Sequence, residues 1–163
     1  MKFLFAMLFA LPLSLSAQDC DLKKVTDPLN GKSKVSTGFV TMHEIRLSLD
    51  ANNKEIDFFF VINIDKAKCV NEESTMTFMF EGGKQKTMLR NSGSMNCDGI
   101  FHIIMKNSTF TPSALNRLNS KKIVSLVLTD SNEKETKIDL TVEEQKILGN
   151  MISCMITEAK TVL

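Results

Sequence analysis

From Phe39 onward the apolar side chains recur at every second position, the spacing of a strand with one face against a core. Phe39, Thr41, His43, Ile45, Leu47 and Leu49 alternate with Met42, Glu44, Arg46 and Ser48. That pattern predicts one half-buried strand. After the turn residues Asn52-Asn53-Lys54, residues 56–64 (IDFFFVINI) place Ile56, Phe58, Phe60, Ile62 and Ile64 on one face. Phe59 and Val61 fall on the other, so this strand is expected to be central and covered on both sides.

Residues 74–80 (STMTFMF) alternate again, and Gly82-Gly83 offers a hairpin turn into residues 85–90. The register stays open: one loop length pairs Met76 with Leu89, a loop one residue longer pairs Phe78 with Met88. Residues 100–106 (IFHIIMK) form a further strand after a loop at 91–99. Thr111-Pro112 has the form of an N-cap with proline at the first helical position, opening a short helix to Leu118. Residues 123–129 and 135–140 make another hairpin. Thr141-Val142-Glu143-Glu144 is a capping box. Behind it Leu148, Met151, Ile152, Met155 and Ala159 share a stripe flanked by Ile147 and Ile156, which predicts an amphipathic helix from Val142 to Lys160. The sum is an α+β plan. Six to seven antiparallel strands, as a meander, roll or flattened barrel, carry a C-terminal helix packed on the sheet.

Ahead of that domain (38–163) stand two segments of different character. Met1-Lys2 followed by the apolar run Phe3 to Leu13 and the small-residue region Ser14-Leu15-Ser16-Ala17 has the order of a signal peptide. The run falls short of the roughly 20 apolar residues a membrane span needs. Removal near residues 16–18 predicts a periplasmic or extracellular protein. Gln18 and Asp19 precede Cys20 where a lipid anchor needs small or apolar residues, so no lipid anchor is expected, and no membrane span. Residues 18–37 are polar, with turn signals at Asp27-Pro28 and Asn30-Gly31, and read as a surface arm with one short extended piece.

Export decides how the cysteines are read. Cys20, Cys69, Cys97 and Cys154 all follow the leader, and an even count in an oxidising compartment implies disulfides. In a simple up-and-down strand order the loops holding Cys69 and Cys97 fall at the same end, so these two are expected to pair. Cys20 then joins Cys154 at the edge of the last helix.

The chemistry in the sequence is mostly negative. Lys2 is the only charge in residues 1–17, so 20 basic residues become 19 against 19 acidic ones after processing. That neutral balance argues against a nucleic-acid binder. His43 and His102 are the two histidines, and neither sits in metal-ligand spacing. Both read as strand histidines at the edge of the core. Cys97 and His102 compose a nucleophile pair only on paper, since a disulfide would consume the thiol. Asp57 and Asp65 share the polar side of one strand but lie too far apart for a carboxylate dyad. No nucleophile elbow, phosphate-cradling glycine loop or dinucleotide fingerprint occurs, and no cofactor or metal is expected. Asn107-Ser108-Thr109 matches a glycosylation sequon. The chain has 11 Phe but no Trp or Tyr, which disfavours carbohydrate stacking and aromatic hot spots. Met residues at core positions read as packing.

Several features taken together carry a resemblance. The leader, the Cys20-Asp21 start, Asp27-Pro28-Leu29-Asn30-Gly31-Lys32, the short strands and Leu140-Thr141-Val142-Glu143-Glu144-Gln145 are similar to small exported bacterial proteins of unknown function. In element order the chain also resembles pleckstrin-homology-like rolls. Neither resemblance implies an activity or site residues. The expected function is a non-enzymatic exported module binding a protein or a small apolar ligand through its sheet or a roll opening. Its rival is an exported hydrolase or enzyme inhibitor built from scattered residues such as His43 and His102. A third reading is a structural or assembly accessory.

Overall fold

The computed structural model describes residues 20–26, 31–52, 54–63, 69–106, 108 and 110–159. The leader, Asp27-Pro28, Asn30, Asn53, Ile64, Asp65, Lys160 and the sequon residues Asn107 and Thr109 lie outside that set. The described chain forms ten strands and two helices. They are β1 (Lys23–Thr26), β2 (Ser33–Ser36), β3 (Val40–Thr41), β4 (Ile45–Ala51), β5 (Glu55–Ile62), β6 (Thr75–Phe80), β7 (Lys86–Arg90), β8 (Ile100–Lys106), α1 (Thr111–Ser120), β9 (Ile123–Thr129), β10 (Glu135–Asp139) and α2 (Val142–Ala159).

All strand pairs are antiparallel and fall in two sheets. One runs β1-β2-β4-β5-β8 with β3 beside β4, and the other runs β10-β9-β6-β7. The α+β plan with a terminal helix on the sheet is therefore present, with more strands than the six to seven expected and no closed barrel. A simple meander is not what the chain does. It leaves the first sheet after β5, builds the β6–β7 hairpin in the second, and returns so that β8 lies against β5. The outgoing and returning crossings lie side by side, joined by paired backbone bonds between Val70 and Asn96 at 2.8 and 2.9 Å. Cys69 and Cys97 are bonded across the same crossing, and Cys20 is bonded to Cys154 on α2. Both expected pairs are present, the first for a different topological reason.

Three other expectations are corrected. In the segment read as a surface arm, residues 23–26 and 33–36 are sheet strands: β1 pairs with β2 and β2 with β4, burying Val35 and Ser36. Its polarity is that of an edge, where exposed lysines such as Lys23 and Lys24 discourage further pairing. The run from Phe39 to Leu49 is two strands, since β3 folds back to pair Val40 with Leu47 and Thr41 with Arg46. The bend between them takes His43 off the strand. Finally, β5 is central between β4 and β8 but packed on one face only: Ile56, Phe58, Phe60 and Ile62 are buried while Phe59 and Val61 stay half-buried.

The core lies between the two sheets. Phe78 of β6 meets Phe58 and Phe60 of β5 at ring separations of 6.5 and 6.4 Å, and Phe60 meets Phe101 of β8 at 6.3 Å. Leu148, Ile152 and Met155 of α2 enter the same core, and α2 lies against β2 and β4 of one sheet and β9 of the other. The β6–β7 register is the Met76–Leu89 one. It is set by Gly82 and Gly83, whose φ values of +84° and +68° place both in the left-handed region. Helix α1 starts one residue earlier than expected, capped by Phe110 with no side-chain bond. Thr111 instead donates its hydroxyl to the Lys106 carbonyl.

Candidate functional site

Residues directly opposite in an antiparallel pair share a face, with Cβ atoms roughly 4.5–5.5 Å apart. On the outer face of the larger sheet that rule stacks Ser36 beside Asp50, Asp50 beside Asp57, and Phe59 beside His102. Two like charges opposite each other are unfavourable unless one is neutralised. Asp50 is compensated fully. Lys34 Nζ lies 2.7 Å from its Oδ2, and the hydroxyls of Ser36 and Ser48 both donate to Oδ1, that of Ser48 at 3.2 Å. Asp57 is not. Its Oδ2 lies 3.3 Å from His102 Nε2, and its buried Oδ1 has no hydrogen-bond partner among the described residues.

Burial, then the charges of Asp50 and Glu55, push the Asp57 carboxyl up to about 7 against the pull of Lys34. Burial likewise lowers the pKa of the His102 imidazole, opposed by Asp50.

Rings continue the same face outward. Phe59 meets the His102 ring edge-on at 4.5 Å, and Phe39 meets Phe59 edge-on at 5.7 Å. Phe39 is 57% exposed, and the Arg46 guanidinium stands 5.7 Å from its centroid. The backbone N–H of His102 donates to Asn91 Oδ1 at 2.9 Å, so the 91–93 segment covers part of the β8 edge.

His43 belongs to a different arrangement. Its backbone N–H donates to Glu144 Oε1 at 2.8 Å, and its Nδ1 lies 2.8 Å from the same oxygen. Glu144 Oε2 accepts from the Thr141 N–H at 2.8 Å and from its hydroxyl at 2.9 Å, completing the expected capping box. Burial opposes ionisation of Glu144, but the bonds from His43 and Thr141 outweigh it and hold the carboxyl down at about 2. One carboxylate thus clasps the start of α2 to the β3–β4 bend.

The two histidines are engaged by different carboxylates and are not brought into one site. Cys97 is bonded to Cys69, so no thiolate faces His102. The hydroxyls of Ser36 and Ser48 are committed to Asp50. Among the described residues no group of three His, Cys, Asp or Glu is placed to hold a metal. The sequence reading weighed Asp57 against Asp65 and missed Asp50. The missed signal is local: Asp50 and Asp57 are equidistant from the centre of the Asn53-Lys54 turn, so a tight hairpin there sets them opposite each other.

Neither the family models, nor the curated proteins, nor the solved structures give a match to this chain.

Proposed function

We propose that this chain is a non-enzymatic exported domain that binds a partner protein with the outer face of its larger sheet. Export is supported by the leader pattern of residues 1–17 and by two disulfides, which persist in oxidising compartments. No helix among the described residues is long and apolar enough to cross a membrane. The observation that carries the binding reading is the ring series Phe39–Phe59–His102, half-open on a sheet face, with Arg46 above one end and Asp57 at the other. A partner fitting this face presents apolar side chains to Phe39 and Phe59 and a polar or cationic group toward the acidic end. The space between the sheets is filled by Phe58, Phe60, Phe78, Phe80 and Phe101, which favours the face over a roll opening as the place of contact. The neutral charge balance argues against nucleic acid, and the lack of Trp and Tyr argues against carbohydrate.

Products of neighbouring genes are the first candidates, tested by co-purification with the wild type and with Phe39→Asp. The expected result is a partner held by the wild type and lost by the variant. Equal retention by both overturns the proposed face. The rival reading, a hydrolase using His102, is tested by screening broad hydrolase substrates with and without chelator. Turnover abolished by His102→Ala would establish it in place of the binding reading.

A further inference from the structure

A second surface, remote in sequence from the ring series, gathers positive charge. The β6–β7 hairpin supplies Lys84, Gln85 and Lys86 as one wall of an open cleft of about 410 Å³. The end of α1 and the residue after it supply Arg117 and Lys121 as the other. The backbone N–H of Glu81 donates to the Lys122 carbonyl at 2.9 Å and ties the two walls together. Among the described residues no carboxylate lines this cleft. Among the described residues none of its four cations has a carboxylate partner; the nearby Glu81 is paired with Lys122 at 3.1 Å. A second open cleft of about 380 Å³ shares Lys84, Gln85 and Lys121 and adds Phe80, Gly82 and the Glu81–Lys122 pair, with Lys121 standing 5.7 Å over the Phe80 ring.

Arg117 at the end of its helix has a local role, since a cation there complements the helix dipole. That role does not account for Lys84 and Lys86, which come from a hairpin in another part of the chain. A chain with balanced charge gains nothing in net charge from this grouping; it concentrates field at one place. Four cations around one small cleft call for more than one negative charge in the occupant. A guanidinium fork, lysine point charges and an amide together suit phosphate oxygens.

We infer that the Lys84–Lys86–Arg117–Lys121 cleft binds a ligand bearing two or more phosphate charges. Such charges come from a free polyphosphate-type anion or from phosphate headgroups at a lipid surface. Met88, two residues beyond Lys86 on the same face of β7 and 55% exposed, stands where a lipid surface would meet it.

The test titrates the whole processed protein with tripolyphosphate by calorimetry. In a second arm the protein is floated with phosphatidylglycerol–phosphatidylcholine vesicles and with vesicles of phosphatidylcholine alone. Wild type is compared with Lys84→Gln/Arg117→Gln, one residue from each wall, and with the charge-matched control Lys23→Gln/Lys24→Gln on the sheet edge. Salt-sensitive binding in either arm is expected, weakened roughly three- to tenfold by the cleft double variant and unchanged in the control. Tripolyphosphate binding assigns the free anion; binding to the anionic vesicles alone assigns the headgroup. Binding in neither arm, or equal weakening by both double variants, overturns the inference. Circular dichroism melting of each variant separates lost binding from lost folding.

Discussion

Asp50 and Asp57 stand opposite each other on β4 and β5, yet one is fully compensated and the other has its carboxyl pushed up to about 7. The difference lies in their neighbours. Lys34 and two serine hydroxyls reach Asp50, while Asp57 has only the His102 ring and an orphaned buried oxygen.

The first prediction follows from the sign of that shift. A carboxyl raised from 3.8 to about 7 binds its proton more tightly in the folded state, so stability falls as pH rises through that window. Asp57→Asn removes the penalty. The variant is expected to match the wild type near pH 4 and to exceed it at pH 8.5 by on the order of 1–2 kcal/mol, discounted for partial exposure. Urea unfolding at both pH values measures this. An advantage of equal size at both would show that Asp57 is not the titrating group.

Glu144 has the opposite sign. Its carboxyl is held at about 2 against an ordinary 4.5, so its contribution is complete above pH 4.5 and is lost as pH falls toward 2. Glu144→Gln is expected to cost about 1–2 kcal/mol at pH 7, from the cap and the His43 bonds together. The difference from wild type should shrink toward pH 2. Chemical unfolding across that range checks it, and a pH-independent loss would assign the effect to packing alone.

Met151 tests the docking of α2. It is buried on the helix, and Met151→Asp places an unpaired charge in the core. A loss of several kcal/mol is expected. An unchanged urea midpoint would mean that the helix does not hold the two sheets together.

The two disulfides should differ in weight. Cys20 and Cys154 are 134 residues apart, Cys69 and Cys97 only 28. Chain entropy alone assigns about 5 kcal/mol to the first and about 3–4 kcal/mol to the second. Cys20→Ala/Cys154→Ala is therefore expected to lower stability more than Cys69→Ala/Cys97→Ala. Non-reducing peptide mapping checks the pairing and denaturant titration the ranking.

What was legible in the sequence is what local chemistry decides. Helix α2 announces itself through Thr141, Glu144 and a stripe of core residues, because cap and stripe are set within a few turns. The β9–β10 and β6–β7 hairpins are legible for the same reason, with Gly82 and Gly83 fixing the latter register. Period two records which side a residue faces and nothing about which strand lies next to it. It could not show that β3 doubles back on β4, or that β8 crosses back to β5 after the β6–β7 hairpin. Ser33 to Ser36 is too short and too polar to display a period, although β4 claims it as a neighbour. The candidate face depends on cross-strand register. Asp57 and His102 were visible singly, their union was not.

The Cys20–Cys154 bond has a consequence beyond its energy. It joins the first described residue to the last helix, turning nearly all of the described fold into a covalent ring. A protease that cuts one exposed loop within that ring opens it without releasing a fragment, and the nicked protein migrates as a single species until it is reduced.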